Sequence, residues 1–132
     1  MKKVVVNSGI KKQVVDITEL VQMEITRQKI GDAVCALTLL HTTCALTTAD
    51  LDPGTDLDML DFFQAIVPDI KFRHPHDPAH TPSHILSSLI GTSITLPVSG
   101  GKLKLGTWQR VVLIEFDGPR KREIACSFSA VV

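Results

Sequence analysis

The sequence predicts an α+β fold, with largely antiparallel β sheets packed as a sandwich and about three helices. Three observations carry this. Short apolar, β-branched runs bounded by Gly, Pro, Asn and Asp recur along the chain. Three stretches instead show helical spacing with start signals. The carboxyl third alternates strand-like runs with turns, which reads as an antiparallel meander. At 132 residues, with 44% apolar and 21% charged side chains, the chain is expected to form one domain, residues 1–132, with its own core.

The elements follow in order. Residues 2–6 read as a strand, Asn7-Ser8-Gly9 as a turn, and Lys11 to Val15 as the returning strand of an opening hairpin. Asp16-Ile17-Thr18-Glu19 matches a capping box, with Asp16 as N-cap and Glu19 reaching back. A helix from about Ile17 to Lys29 follows, closed by Gly31. Ala33 to Leu40 is a near-continuous apolar run and reads as a buried strand. Cys44 to Thr48 continues as another. Asp56 is placed to cap a helix over Leu57–Ile66, with Leu57, Leu60, Phe63 and Ile66 or Val67 on one face, ended by Pro68. Thr81 as N-cap and Pro82 at the first position open a third helix, which ends at Gly91. Strands are expected over Ser93–Val98, Lys104–Phe116 and Arg122–Val132, separated by Ser99-Gly100-Gly101 and Asp117-Gly118-Pro119.

Charge and cysteine usage narrow the function classes. Fourteen basic and fourteen acidic residues balance, so no field favours nucleic acid or an anionic membrane. The run Arg120-Lys121-Arg122 is short, lacks interleaved aromatics and reads as a solvated turn. Cys35, Cys44 and Cys126 form no CxxC pair and sit in apolar runs, as core thiols of a reducing compartment would. The apolar run in MKKVVVNSGI is too short for a signal peptide, and no window approaches the roughly 20 apolar residues of a membrane span. A soluble, cytoplasmic protein is expected.

The chemistry concentrates in FRHPHDPAHTPSHILSSLIG, Phe72 to Gly91, which holds His74, His76, His80 and His84. Three prolines imply an ordered loop that feeds a helix N-terminus, a place that presents imidazoles and receives anions. The spacing H-x-H-x3-H-x3-H matches no standard zinc motif, and a solvated loop histidine is the plainer reading of each ring. As a group they suit a metal, a phosphate or a proton-transfer site. His41, Thr42 and Thr43 place one imidazole and two hydroxyls at a strand end, positioned to line a cleft. Convergence of the two clusters would make a site.

Other features have plainer readings. Asp50, Asp52, Asp56 and Asp58 surround Gly54 but lack the calcium-loop pattern and its closing Glu, so turn formation and capping explain most of them. One of these carboxylates can still serve the histidines as base or metal ligand. Gly106 inside the expected long strand suggests a bulge, and Trp108 reads as core or interface. Glu115 in VVLIEF needs a partner, and Arg122 on the next strand is the natural one.

Taken together, these residues resemble the YjbQ-like family, associated with a secondary thiamine-phosphate synthase activity. The resemblance runs from Ile17 onward through HTTCALT, the His74 that follows an aromatic, PSHILSSLIGTS, LPVSGGKLKLGTWQ and EFDGPRKR. It implies a YjbQ-like sandwich fold, a homotrimer, and a site near the subunit boundary lined by histidines and the GTWQ segment. By position it implies His41, His84, Asp50 and Glu115 as catalytic residues and Thr42, Thr43, Gln109 and Arg122 as substrate-binding residues. His41, His74 and His84 would hold a divalent metal, zinc or magnesium. The implied partner is a small phosphorylated molecule. Two departures stand out: Ala49-Asp50 replaces the family's usual Asn-Glu, and the family's Asn before the third helix is missing, with His80 or Thr81 near its place.

The family reaction joins a pyrimidine pyrophosphate to a thiazole phosphate, releasing pyrophosphate. The sequence has no phosphate-cradling glycine loop and no DDxxD-like cluster to show it. The expectation is therefore a transferase of this type as a side activity. The alternative is a metal- or small-ligand-binding protein, or a metal-dependent hydrolase.

Overall fold

The structure, a computed structural model, describes residues 1–131. Its elements are β1 (Lys2–Asn7), β2 (Gln13–Asp16), α1 (Thr18–Arg27), β3 (Ala33–Leu39), β4 (Cys44–Ala49), α2 (Thr55–Ala65) and a 3-10 turn at Pro78–His80. They continue with α3 (Thr81–Ile90), β5 (Ser93–Ser99), β6 (Lys102–Leu103), β7 (Arg110–Glu115) and β8 (Lys121–Ala130). One sheet has the order β1-β8-β3-β5-β6 and the other β2-β7-β4. Every pairing is antiparallel.

The main core lies between the sheets. Val4, Val6, Cys35, Leu37 and Ile124 of the larger sheet meet Leu46, Val111 and Leu113 of the smaller, with Val21 and Ile25 of α1 packed among them. A second cluster lies on the opposite face of the smaller sheet. There Ala45, Val112, Ile114 and Phe116 pack with Leu86 of α3 and Met59, Leu60 and Phe63 of α2. Sandwiched on both faces, β7 needs no polar alternation, which is why VVLIEF is continuous and wholly buried. The larger sheet has one open face, so β3 alternates and Val34 is exposed despite the apolar run around it.

Several expectations are corrected. The first two strands make no hairpin: β1 pairs with β8 and β2 with β7, because the turn passes from one sheet to the other. The capping box does not form. Asp16 ends β2, its Oδ1 accepting from the N–H and Oγ1 of Thr18, and Glu19 turns to Arg110. Lys29 (φ 55°), not Gly31, takes the left-handed conformation after α1. Helix α2 begins at Thr55, with Gly54 at the cap position and Asp56 inside the first turn, and Leu57 points to solvent. Thr81 is the first residue of α3 rather than its cap, and its buried Oγ1 has no partner among the described residues.

The carboxyl third is not a meander. Strands β5, β7 and β8 do not pair with one another, because each joins strands from the amino half. The expected strand from Lys104 starts only at Arg110. Residues 104–109 turn outward, with the Gln109 N–H bonding the Gly106 carbonyl, so Trp108 is 70% exposed rather than core. The last strand ends at Ala130, and Val132 lies outside the described residues. No helix is long and apolar enough to cross a membrane among the described residues.

Candidate functional site

Three chain reversals meet at one end of the smaller sheet. They are the β3–β4 turn (residues 40–43), the start of α3 with its preceding 3-10 turn, and the β7–β8 turn (residues 116–120). Together they line an open cleft of about 590 Å³ that includes His41, Thr42, Thr43, His80, His84, Arg120 and Lys121. His80 and His84 of the histidine-rich segment therefore line the same cleft as the His41-Thr42-Thr43 turn.

The β7–β8 turn is shaped by close packing. A Cβ on Gly118 would lie 2.3 Å from the Ile10 carbonyl oxygen, 2.8 Å from Ser8 Oγ and 2.9 Å from Glu115 Cγ, so only glycine fits. The Gly118-Pro119 peptide is cis. Beneath the turn lie Glu115 (0% exposed) and Arg122 (2%), joined by a two-pronged ion pair. Glu115 also accepts from Ser8 Oγ at 2.6 Å and from the Asp117 N–H at 3.1 Å. Burial pushes its carboxyl up, but the hydrogen bonds from Arg122, Ser8 and Asp117 outweigh that and hold it below the usual range. Glu115 is thus an ionised counter-charge at neutral pH. Arg122 Nη2 also donates to Thr43 Oγ1 at 2.8 Å and to the Thr43 carbonyl at 3.3 Å.

The five imidazoles have different settings. His41 Nε2 accepts the Glu123 N–H at 2.8 Å, so its proton sits on Nδ1. Burial, then the Arg122 guanidinium, depress its pKa, and the neutral ring is favoured. His84 Nδ1 lies 3.1 Å from the Thr42 carbonyl oxygen. A carbonyl only accepts, so Nδ1 donates and the Nε2 lone pair is left free. His74 stacks on His84, centroids 5.0 Å apart and planes 15° from parallel, and its Nδ1 accepts the Asp77 N–H. His76 meets His74 edge-on at 6.1 Å, and His80 lies 3.3 Å from Asp77.

These residues do not fit a shared divalent ion in this arrangement. A metal lies in the plane of each imidazole that binds it, about 2 Å from the nitrogen. Two near-parallel stacked rings cannot both meet that condition, and His41 Nε2 already accepts a main-chain hydrogen bond. Among the described residues no three His, Cys, Asp or Glu side chains form a metal-binding group.

The other expected site residues are elsewhere. Asp50 lies beyond the far end of β4, in a separate depression with Asp16, Trp108 and Arg110. Gln109 is nearby, its Oε1 on the Gly106 N–H and its Nε2 3.3 Å from Thr48 Oγ1. The six residues of β4, roughly 20 Å of strand, separate them from Thr43. Sequence reasoning also passed over Arg120 and Lys121 as a solvated turn. Their adjacency to the Glu115–Arg122 pair was the available signal, because a buried pair at the base of a short turn holds the intervening side chains at its rim. Cys44, next to Thr43, is buried, and burial pushes its thiol up to about 11, so it is protonated and no nucleophile.

Residues 2–130 match the family model described as UPF0047 protein YjbQ-like. A UPF0047 protein of Archaeoglobus fulgidus is 35% identical over 113 residues, 85% of this chain and 87% of the relative. The UPF0047 protein YugU of Bacillus subtilis is 34% identical over 111 residues, 83% and 84% of the two chains. The solved structure of an uncharacterized conserved protein of the YjbQ/UPF0047 family from Clostridium acetobutylicum superposes with a TM-score of 0.87 at 30% identity, covering 98% of this chain and 100% of that one. A YbjQ-like protein of unknown function from Sulfolobus solfataricus gives a TM-score of 0.89 at 26% identity, covering 98% and 96%. The chain belongs to the YjbQ-like family, whose members named here carry no assigned function.

Proposed function

We propose that in this member of the YjbQ-like family the histidine cleft binds a phosphorylated small molecule and that His84 Nε2 exchanges a proton with it. One observation carries this reading: the Thr42 carbonyl commits His84 Nδ1 as a donor, leaving Nε2 free beside a rim of Arg120 and Lys121. Lys121 takes part in none of the ion pairs among the described residues, so its charge is available to an anion. Arg122 Nε and Nη2 are committed to Glu115 and Thr43, so this side chain supports the site from below through those atoms.

The reaction we propose is the transfer associated with the family. The thiazole nitrogen uses its lone pair to form a C–N bond to the pyrimidine methylene. The C–O bond to pyrophosphate breaks, and its electron pair leaves on the pyrophosphate oxygen. Lys121, helped by the N–H groups of Arg120 that its pair with Asp117 leaves free, stabilises that developing charge, and a protonated His84 delivers a proton to it. Asp50 and Gln109 are too far along β4 to join the cleft of their own chain. Their participation requires a second copy, consistent with the homotrimer the family resemblance implies.

Incubating the protein with both substrates, with and without magnesium, and separating thiamine phosphate chromatographically tests this. Product that falls at least tenfold in His84→Ala is expected. No product under any condition, with pyrophosphate still binding, would replace the transferase by a small-ligand-binding protein.

A further inference from the structure

The cleft depends on a peptide group that the cleft itself does not fix. The Thr42 carbonyl chooses which nitrogen of His84 carries the proton. Thr42 is exposed and sits in a turn, where a peptide plane is free to rotate unless something holds it. Its neighbour Thr43 is held on several sides. The Thr43 carbonyl accepts the Phe116 N–H at 3.1 Å and Arg122 at 3.3 Å, and Thr43 Oγ1 accepts from Arg122 at 2.8 Å. On the other side of Thr42, His41 Nε2 accepts the Glu123 N–H, and the Leu40 N–H bonds the Glu123 carbonyl. Adjacent residues of β8, Arg122 and Glu123, therefore grip both ends of the turn. Glu115, fixed by Ser8 and the Asp117 N–H, sets the guanidinium plane.

We infer that Arg122 is a positioning residue: by clamping Thr43 it aims the Thr42 carbonyl, keeps the proton of His84 on Nδ1, and thereby keeps Nε2 open to the ligand. In this arrangement His41 is a strut of the same clamp. The inference rests on the reading of His84 as the group that meets the ligand, but its test needs no ligand.

The experiment is long-range 15N–1H NMR of the histidine rings, which distinguishes the two neutral tautomers, on the full chain. The wild type should show His84 with its proton on Nδ1, the minor form of free imidazole. Thr43→Val removes the hydroxyl acceptor at nearly constant shape, and it should move a third or more of His84 to the Nε2–H form. Thr43→Ser restores the acceptor and should restore the wild-type signal. Arg122→Lys, which keeps a charge beside Glu115 but loses the fork, should act like Thr43→Val, so a folding failure in one variant leaves the other decisive. An unchanged His84 tautomer in a folded Thr43→Val or Arg122→Lys protein would overturn the inference. A shifted tautomer with undiminished pyrophosphate binding would leave the clamp standing and remove the proposed ligand role of His84.

Discussion

The two ends of β4 are both polar, yet they are built in opposite ways. At its start, Thr43 meets an ion pair sealed from water, and the turns above it are held by Gly118, Ser8 and main-chain hydrogen bonds. Beyond its end, Arg110 reaches Asp16 at 2.8 Å and Glu19 at 3.2 Å across open surface, and Trp108 stands out into solvent. The first end is a fixed frame around a free imidazole nitrogen. The second is a loosely held surface whose candidate residues, Asp50 and Gln109, face no histidine of the same chain. The difference is between a turn held by buried groups and a surface held by exposed ion pairs.

The largest contrast should come from the ion pairs. Glu115→Gln strands the Arg122 charge in the interior and should cost about 3–5 kcal/mol in urea denaturation. Asp16→Asn breaks an exposed pair and should cost roughly 0–1 kcal/mol. Equal losses at the two ends would erase the distinction. Next in size is Gly118→Ala, where the added methyl meets main-chain and side-chain atoms at 2.3–2.9 Å, and a loss of about 1–3 kcal/mol is expected.

The pH dependence sharpens the same contrast. The depressed Glu115 carboxyl contributes stability that is fully present above its ordinary value of 4.5 and lost as pH falls through its lower folded value. His41 is depressed as well, so its contribution is complete above its ordinary 6.5 and declines below it as the unfolded ring takes up a proton first. Stability measured from pH 7.5 to 3 should therefore fall in two steps. His41→Asn should remove the upper step, and Asp16→Asn should leave it intact. The smallest effect belongs to Trp108→Ala, within about 0.5 kcal/mol, because the exposed ring loses little burial.

The sequence made the strands and helices legible wherever one residue type has one local use. Pro82 and Gly91 bracket α3, and the apolar runs mark β3, β4 and β7. What it concealed was which strand pairs with which. Lys11 to Val15 and Arg122 onward look like hairpin partners of their neighbours, but the turns before them carry the chain between sheets, a long-range choice with no local signature. The site was half legible. HTT and PSH were readable as ligand-bearing motifs, and Glu115–Arg122 as a necessary pair. The commitment of His41 Nε2 and the freedom of His84 Nε2 depend on which carbonyl or N–H faces each ring, and only the folded backbone sets that.

The measurement that bears most directly on the central claim is a pyrophosphate titration followed by amide and imidazole NMR signals. Saturable shifts confined to His84, Thr42 and residues 118–121, and absent in His84→Ala, are the predicted result. Shifts centred on Asp50, Trp108 and Gln109, or none at millimolar pyrophosphate, would contradict it.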